Sequence, residues 1–336
     1  MRYLAVLIVA LWPALLAAAE WEDHQTFGDT EASAPLRILS STDTSFFAPI
    51  IAAFVARQPG VAVEYLVTGT ADLDARFRDA PAAYDVVISS AMDLQLKLAN
   101  DGFAAPLDMP EHPDRAQWHK RLFGFTTEPA AIVVNKELFA DLPLPRSRQD
   151  LIEVLRANPE RFTGKVGTYD VRDSGLGYLF ATQDARSSET FWRLMEVMGR
   201  LDARLYCCSG EMIDDLATGR LAVAYNVLGS YAEARATEAG ALTVILPSEF
   251  PTAMMRTALI SRAAPQPEVA KAFLRHLIQM QAGGGDAGFP LPPLATSNDA
   301  TGGTSISLDP ALMTYLDRMK RQMFIQEWEN AIVQQD

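Results

Sequence analysis

The chain is poor in cysteine and histidine. Two cysteines in 336 residues, the adjacent Cys207 and Cys208, cannot supply a disulfide scaffold. Their segment also holds too few donors for a metal. The histidines His24, His112, His119 and His276 are scattered. His112 and His119 stand near Glu111 and Asp114, but Pro110 and Pro113 interrupt that stretch and argue against convergent ligands. No metal site and no cofactor are expected. Basic residues are in deficit: 29 Lys and Arg against 42 Asp and Glu leave a net charge of −13. That balance speaks against nucleic acid, whose phosphates select Lys/Arg clusters. It leaves room for an anionic small ligand, because a local pocket can oppose the global sign. The three glycines Gly283, Gly284 and Gly285 are not followed by the Lys-Ser/Thr of a phosphate loop. No G-x-S-x-G elbow occurs, and no histidine lies near Cys207 in sequence to activate a thiol. No catalytic residue is expected.

Long apolar runs are absent except at the start. Met1, Arg2 and Tyr3 precede the apolar stretch Leu4 to Leu16, and Ala17-Ala18-Ala19 fits a small-residue cleavage site. This pattern predicts a secretory signal peptide over residues 1–19 and an exported, periplasmic product. Residues 20–35 read as an N-terminal extension.

From Leu36 onward the chain alternates between two periodicities. Strands are predicted at Leu36 to Ser40, Val61 to Leu66 and Tyr84 to Ser89. Between them, Phe47, Ile50, Ile51, Phe54 and Val55 recur at helical spacing, and Leu73 and Phe77 mark a second helix. A third helix runs from Met92 to Asn100. Strand, helix, strand, helix, strand is the rhythm of an α/β domain with a mostly parallel sheet. A second unit repeats it. Strands are predicted at Ala131 to Val134, Lys165 to Tyr169, Leu221 to Tyr225 and Leu242 to Leu246, with helices opened by Ser147, Ser174 and Gly229. The chain then returns through a strand, Arg256 to Ile260, and a helix from Pro267. A last helix is predicted from Asp309-Pro310, with Leu312, Leu316, Met319 and Met323 on its apolar face.

Four segments carry a resemblance: YDVVISSAMDLQLKLANDGFAAPL, FGFTTEPAAIVVNKELF, GKVGTYDVRDSGLGYLF and RTALISRAAPQPEVAKAFLRHLI. In order they resemble the ferric-ion, sugar-phosphate and phosphoglycerate branch of periplasmic solute-binding proteins of ABC-transporter type. The resemblance implies the two-lobed type 2 periplasmic binding fold with two crossover segments. Lobe 1 would comprise residues 36–127 plus 256–336, and lobe 2 residues 128–255. It implies a monomer that closes on a solute and is read by a membrane permease or a sensor histidine kinase, with no enzymatic activity. An enzyme on the same fold is the reading of a different class.

Ligands in such sheets gather at strand ends beside helix N-termini. Five loops meet that description. Their expected ligand residues are Ser41 and Thr42; Thr68, Gly69 and Thr70; Ser89, Ser90 and Ala91; Asp173, Ser174 and Gly175; and Asn226, Ser230 and Tyr231. Arg172 and Arg256 are the candidate bidentate clamps for a phosphate or carboxylate. Glu128 stands at the first crossover. Iron is the alternative ligand. The ferric branch binds through adjacent tyrosines, but Ala232 follows Tyr231 here, so a small organic anion is the expectation. Ser209 is a candidate cap for a helix after the cysteine pair.

Overall fold

The structure is a computed structural model and describes residues 21–29, 34–283, 288–295 and 304–334. The expected signal peptide lies outside the described residues.

The first unit opens with a strand in the expected extension, β1 (Asp23–Gly28). The predicted rhythm comes next: β2 (Leu36–Ser40), α1 (Thr44–Arg57), β3 (Ala62–Val67), α2 (Thr70–Asp79), β4 (Val86–Ser89) and α3 (Met92–Asn100). Gly60, at φ +83°, makes the turn after α1, a backbone conformation that glycine adopts at little cost. Two short strands, β5 (Gln117–Trp118) and β6 (Leu122–Gly124), complete the unit.

The chain crosses at residues 125–127 into β7 (Glu128–Asn135). The second unit then runs α4 (Arg148–Ala157), α5 (Pro159–Phe162), β8 (Val166–Tyr169), α6 (Gly175–Ser187), α7 (Thr190–Arg200), β9 (Arg204–Tyr206), α8 (Ser209–Ala217), β10 (Val223–Leu228), α9 (Gly229–Ala239), β11 (Leu242–Ile245) and β12 (Thr252–Met254). Ser147 caps α4 as its sequence promises, accepting from the Asp150 amide at 2.9 Å. Met255 and Arg256 lead back to β13 (Thr257–Ile260) and α10 (Pro267–Ala282). A last strand, β14 (Thr304–Ser305), a 3-10 turn over Pro310–Leu316 and α11 (Arg318–Ile332) end the described chain.

The elements form two sheets flanked by helices. The first has the order β1-β3-β2-β4-β13-β6-β5, and the second β14-β12-β7-β10-β8-β9, with β11 also on β7. Parallel pairing holds β2 to β3 and β4, and β8 to β9 and β10. The crossing strands β13 and β7 pair antiparallel with their neighbours, because each enters its sheet from the other unit. One apolar core lies against the first sheet (Phe47, Ile50, Phe54, Phe273, Leu277) and another against the second (Leu151, Leu155, Phe162, Leu194, Met198). A third, with Leu39, Leu96, Leu176, Tyr231 and Met255, draws residues from both units. Among the described residues, no helix is long and apolar enough to cross a membrane.

The C-terminal segment departs from expectation in two ways. The resemblance puts it in the first lobe, yet β14 pairs with β12, and Phe324, Trp328 and Ile332 join the second core. Nor is it one helix from Pro310. Asp317 is non-helical (φ −56°, ψ 133°), and its carboxylate accepts from the amides of Met319 and Lys320, starting a new helix there. That break rotates the apolar face: Met319 and Met323 are 71% and 67% exposed, while Phe324 and Trp328 are buried.

Candidate functional site

The loops after β2, β3 and β4 meet α6 and α9 of the second unit. At the centre lies a buried polar chain built on the two crossings. Arg256, 1% exposed, donates two hydrogen bonds to Glu128, 0% exposed, from Nε to Oε1 and from Nη2 to Oε2, both at 2.9 Å. Its third guanidinium nitrogen reaches Thr42 Oγ1, in the loop after β2. Glu128 also accepts from Ser230 Oγ at the start of α9, and from Thr126 Oγ1 at 2.8 Å. Thr126 Oγ1 in turn accepts from the Arg256 amide at 2.8 Å. Burial pushes the Glu128 carboxyl up, but the Arg256 charge and these hydrogen bonds more than offset it and hold it below the ordinary value. Thr42, Glu128, Ser230 and Arg256 are thus brought together, and they satisfy one another.

Around this centre the two units touch. Tyr231 Oη donates to Asp43 Oδ1 at 3.1 Å, and its ring lies 5.9 Å from the Arg256 guanidinium carbon. Thr70 Oγ1 accepts from the amides of Gly175 at 2.9 Å and Leu176 at 3.2 Å, so a first-unit hydroxyl caps the N-terminus of α6. Ser174 Oγ takes the Gly177 amide at 3.1 Å. The spacing there is tight: a Cβ on Gly175 would stand 2.9 Å from Leu94 Cδ1 and 3.3 Å from Ala91 Cβ, so Leu94 would have to move to admit one. Ser89, Ser90 and Ala91 lie buried beside Ser41, whose hydroxyl donates to Ser89 Oγ at 3.3 Å and accepts from the Ser90 amide at 3.3 Å. Thr68 is buried, and its amide donates to Ser40 O at 3.0 Å.

Three expected ligand residues are placed elsewhere. Arg172 is no cleft clamp. It is exposed and bound to Asp170, two residues back, with Nε 2.8 Å from Oδ1, and to Glu329 of α11 at 3.2 Å. Its neighbour Asp173 is exposed. Asn226 is held away by Asp184, to which its Nδ2 donates at 2.9 Å. Asp184 also binds Tyr225 Oη and Arg148 Nη2, each at 2.6 Å, in a buried cluster of the second unit. Ser209 is no cap either. Cys208 holds the cap position, while the Ser209 hydroxyl contacts Tyr169 Oη and accepts from the Leu228 amide at 3.3 Å.

The acidity of the mouth is not apparent from the sequence. Glu22, just before β1, lies against Gly69, where a Cβ would meet its Oε1 at 3.4 Å. Burial raises the Glu22 carboxyl, and repulsion from Asp43, Glu211 and Asp72 adds to the shift. Burial likewise raises Asp43, with the Tyr231 hydrogen bond and the Arg256 charge offsetting only part. Glu22, Asp43 and Thr44 line a cavity of about 410 Å³ formed by first-unit residues, among them Asp23, Ser45 and Val67. Asp43 falls inside a loop the spacing marks, whereas little in the polar DHQTFG stretch signals a strand that delivers Glu22. Both cysteines are free, Cys207 exposed with Sγ 3.8 Å from Glu211 Oε2. A larger cavity, about 1090 Å³, lies behind the crossings between Pro129, Ala253, Ile278 and Leu294, and Ser230 alone of the expected ligand residues lines it.

No curated protein matches the sequence. Solved structures match its fold. The substrate-binding protein of an ABC transporter from Agrobacterium tumefaciens has a TM-score of 0.85 and 28% identity, over 92% of this chain and 98% of that one. The periplasmic binding protein AfuA from Actinobacillus pleuropneumoniae, with fructose-6-phosphate bound, has a TM-score of 0.73 and 15% identity over 89% and 98%. Iron-bound HitA from Pseudomonas aeruginosa has a TM-score of 0.64 and 16% identity over 88% and 99%. These likenesses give the periplasmic binding protein fold. A model of the bacterial extracellular solute-binding proteins matches residues 40–283, and with the two sheets joined by two crossings it makes the chain a member of that family.

Proposed function

We propose that the protein is a hinged periplasmic trap that takes a small polar organic solute at the strand ends between its lobes. It presents that solute to the permease of an ABC transporter. A sensor histidine kinase is the alternative membrane partner; that reading is supported by a structure of a two-component signalling protein with a TM-score of 0.59 and 16% identity. The lobes we propose are residues 21–127 with 256–295, and 128–255 with 304–334. The signal peptide would carry the chain to the periplasm. The observation that carries the reading is the buried chain Thr42–Arg256–Glu128–Ser230, which ties a first-lobe loop and a second-lobe helix to both crossings. A solute that changes any of these contacts changes the balance between open and closed forms.

The solute's charge has two readings. An organic anion, phosphorylated or carboxylated, is supported by Arg256 and by the convergence of serine and threonine loops on it. A solute with a cationic group is supported by Glu22 and Asp43, whose carboxyls burial raises above their ordinary values. A ferric site has weaker support: Tyr231 is followed by Ala232, where the ferric branch carries a second tyrosine.

The test is a thermal-shift panel on mature protein, containing sugar phosphates, di- and tricarboxylates, polyamines, amino acids and ferric citrate. A true solute at a hundred times its dissociation constant adds about 2.7 kcal/mol to stability. Stabilisation by phosphates or carboxylates that is lost in Arg256→Met supports the anion. Stabilisation by amines that is lost in Asp43→Asn supports the cation. Stabilisation by ferric iron alone overturns both, and consumption of a bound solute by the protein overturns the binding-protein reading.

A further inference from the structure

Asp93 is a buried carboxylate that the proposed solute site does not use. It lies in the first turn of α3, 2% exposed, and its Oδ1 has no hydrogen-bond partner. α3 belongs to the first lobe, yet it packs on α6 and on the Pro310–Leu316 turn, which belong with the second. Its neighbour Leu94 forms part of the same contact, 2.9 Å from where a Cβ on Gly175 would stand.

The groups facing Asp93 come from both sides. From α11 comes Arg321, whose guanidinium carbon sits 4.6 Å from the centre of the Tyr178 ring. From α6 comes Tyr178 itself, whose hydroxyl donates to the backbone oxygen of Tyr315 in the turn at 2.6 Å. From α2 comes Asp74, paired with Arg78 at 2.9 Å. β6 and β13 bring Leu122, Phe123, Thr257, Ala258, Leu259 and Ile260, none of which titrates. On α3 itself, Lys97 is bound to Asp101 at 2.9 Å. Among the described residues no ion pair reaches Asp93.

We infer that closing the two lobes takes up a proton on Asp93, so that acid favours the closed form. This rests on the hinged trap proposed above. Burial drives the carboxyl up to about 7 in the closed arrangement, with a backbone hydrogen bond at Leu94 and the Arg321 charge offsetting only part of it. Opening separates α3 from α6 and the turn and returns the side chain to water, where an aspartate titrates near its ordinary ~3.9. Between the two values the closed form holds a proton that the open form lacks. The ratio of closed to open therefore approaches a tenfold rise for each unit fall in pH well below 7, and rises about fiftyfold from pH 7 to pH 5, because at pH 7 the closed form is half protonated. Above pH 7 neither form holds the proton and this contribution is flat. Glu22 and Asp43, also raised, add to the acid end.

Small-angle scattering of the mature protein without solute, from pH 8.5 to pH 5.5, reads the effect directly. The wild type should compact as pH falls through 7, and Asp93→Asn, which carries no titrating group there, should be compact on both sides of 7. A wild type of constant radius, or an Asp93→Asn variant that keeps the wild-type slope around pH 7, overturns the proton uptake. Gly175→Trp, a wedge in the contact between the lobes, tests the hinge separately. If the wedge expands the protein while pH does not, the hinge stands and the proton inference fails. If the wedge leaves the radius unchanged, the hinged reading fails and takes the inference with it. Should Asp93→Asn not fold, proton uptake on compaction, measured on the wild type in two buffers of different ionisation enthalpy, decides in its place.

Discussion

At the scale of single residues, the pair Arg256–Glu128 dominates. Both side chains are buried, and every guanidinium nitrogen has an acceptor. A buried pair of this kind contributes little against an apolar replacement of both members, but removing one partner strands a charge at a cost of about 3–5 kcal/mol. Urea denaturation should show a loss of that size for Glu128→Ala and a much smaller one for the double variant Glu128→Leu with Arg256→Met. Equal losses in the two would show that the charge is not stranded. The pH dependence has a definite sign. The Glu128 carboxyl is depressed in the folded protein, so its stabilisation is complete above its ordinary value of 4.5 and is lost as pH falls below that. Glu128→Gln should therefore flatten the acid limb of the stability curve and leave the neutral region parallel to wild type. Arg172 shows the limit of reading residues one at a time. It adjoins a loop that reads as a ligand loop, yet Asp170 two positions earlier binds its guanidinium. Spacing along a chain places a residue on an element; it does not say which neighbour takes its charge.

At the scale of elements, local chemistry carries most of the fold. Runs of Val, Ile and Leu bounded by turns mark β2, β3 and β4, and Ser147 opens α4, because each signal is complete within a few residues. The elements that escape such reading depend on distant partners. β1 is a polar strand stabilised by pairing with β3 from Asp23–Val67 to Gly28–Ala62, and only Thr26 and Phe27 in its own composition favour extension. The face of α11 escapes for another reason. Met319 and Met323 keep the helical spacing of Leu312 and Leu316, but the break at Asp317 resets the helix, and aromatic residues further on make the contact. Trp328 is 1% exposed, and the Phe324 ring lies 5.4 Å from that of Trp192 and 5.5 Å from that of Tyr178. Trp328→Ala should cost about 3–5 kcal/mol, as large aromatic deletions do in a packed core. Met319→Gln and Met323→Gln should stay within about 0.5 kcal/mol of wild type, as exposed substitutions do. Thermal unfolding of the three variants checks both, and a large loss at either methionine would mean that the helix packs on the face the spacing first suggested.

For the whole molecule, the C-terminal segment ties the two halves together. The Pro310–Leu316 turn packs on α3 beside the first sheet, while α11 packs on α7 and closes the second core. This is why the return strand β13 could be read from the chain and the placement of the tail could not: contact with both halves leaves no mark on the tail's own periodicity. The arrangement predicts an unequal response to shortening. A chain ended after Leu294 would keep the first sheet whole, since its last strand is β13, but would strip β14 from β12 and expose the face of α7 that Phe324, Trp328 and Ile332 cover. The second lobe should then melt below the first, turning one cooperative transition into two, with the lower one reported by Trp192 beside the lost aromatic cluster. Calorimetry with fluorescence at the same scan rate reads both transitions. A truncated chain that still melts in a single step at the wild-type temperature would show that the tail is an ornament on the second lobe and not part of its core.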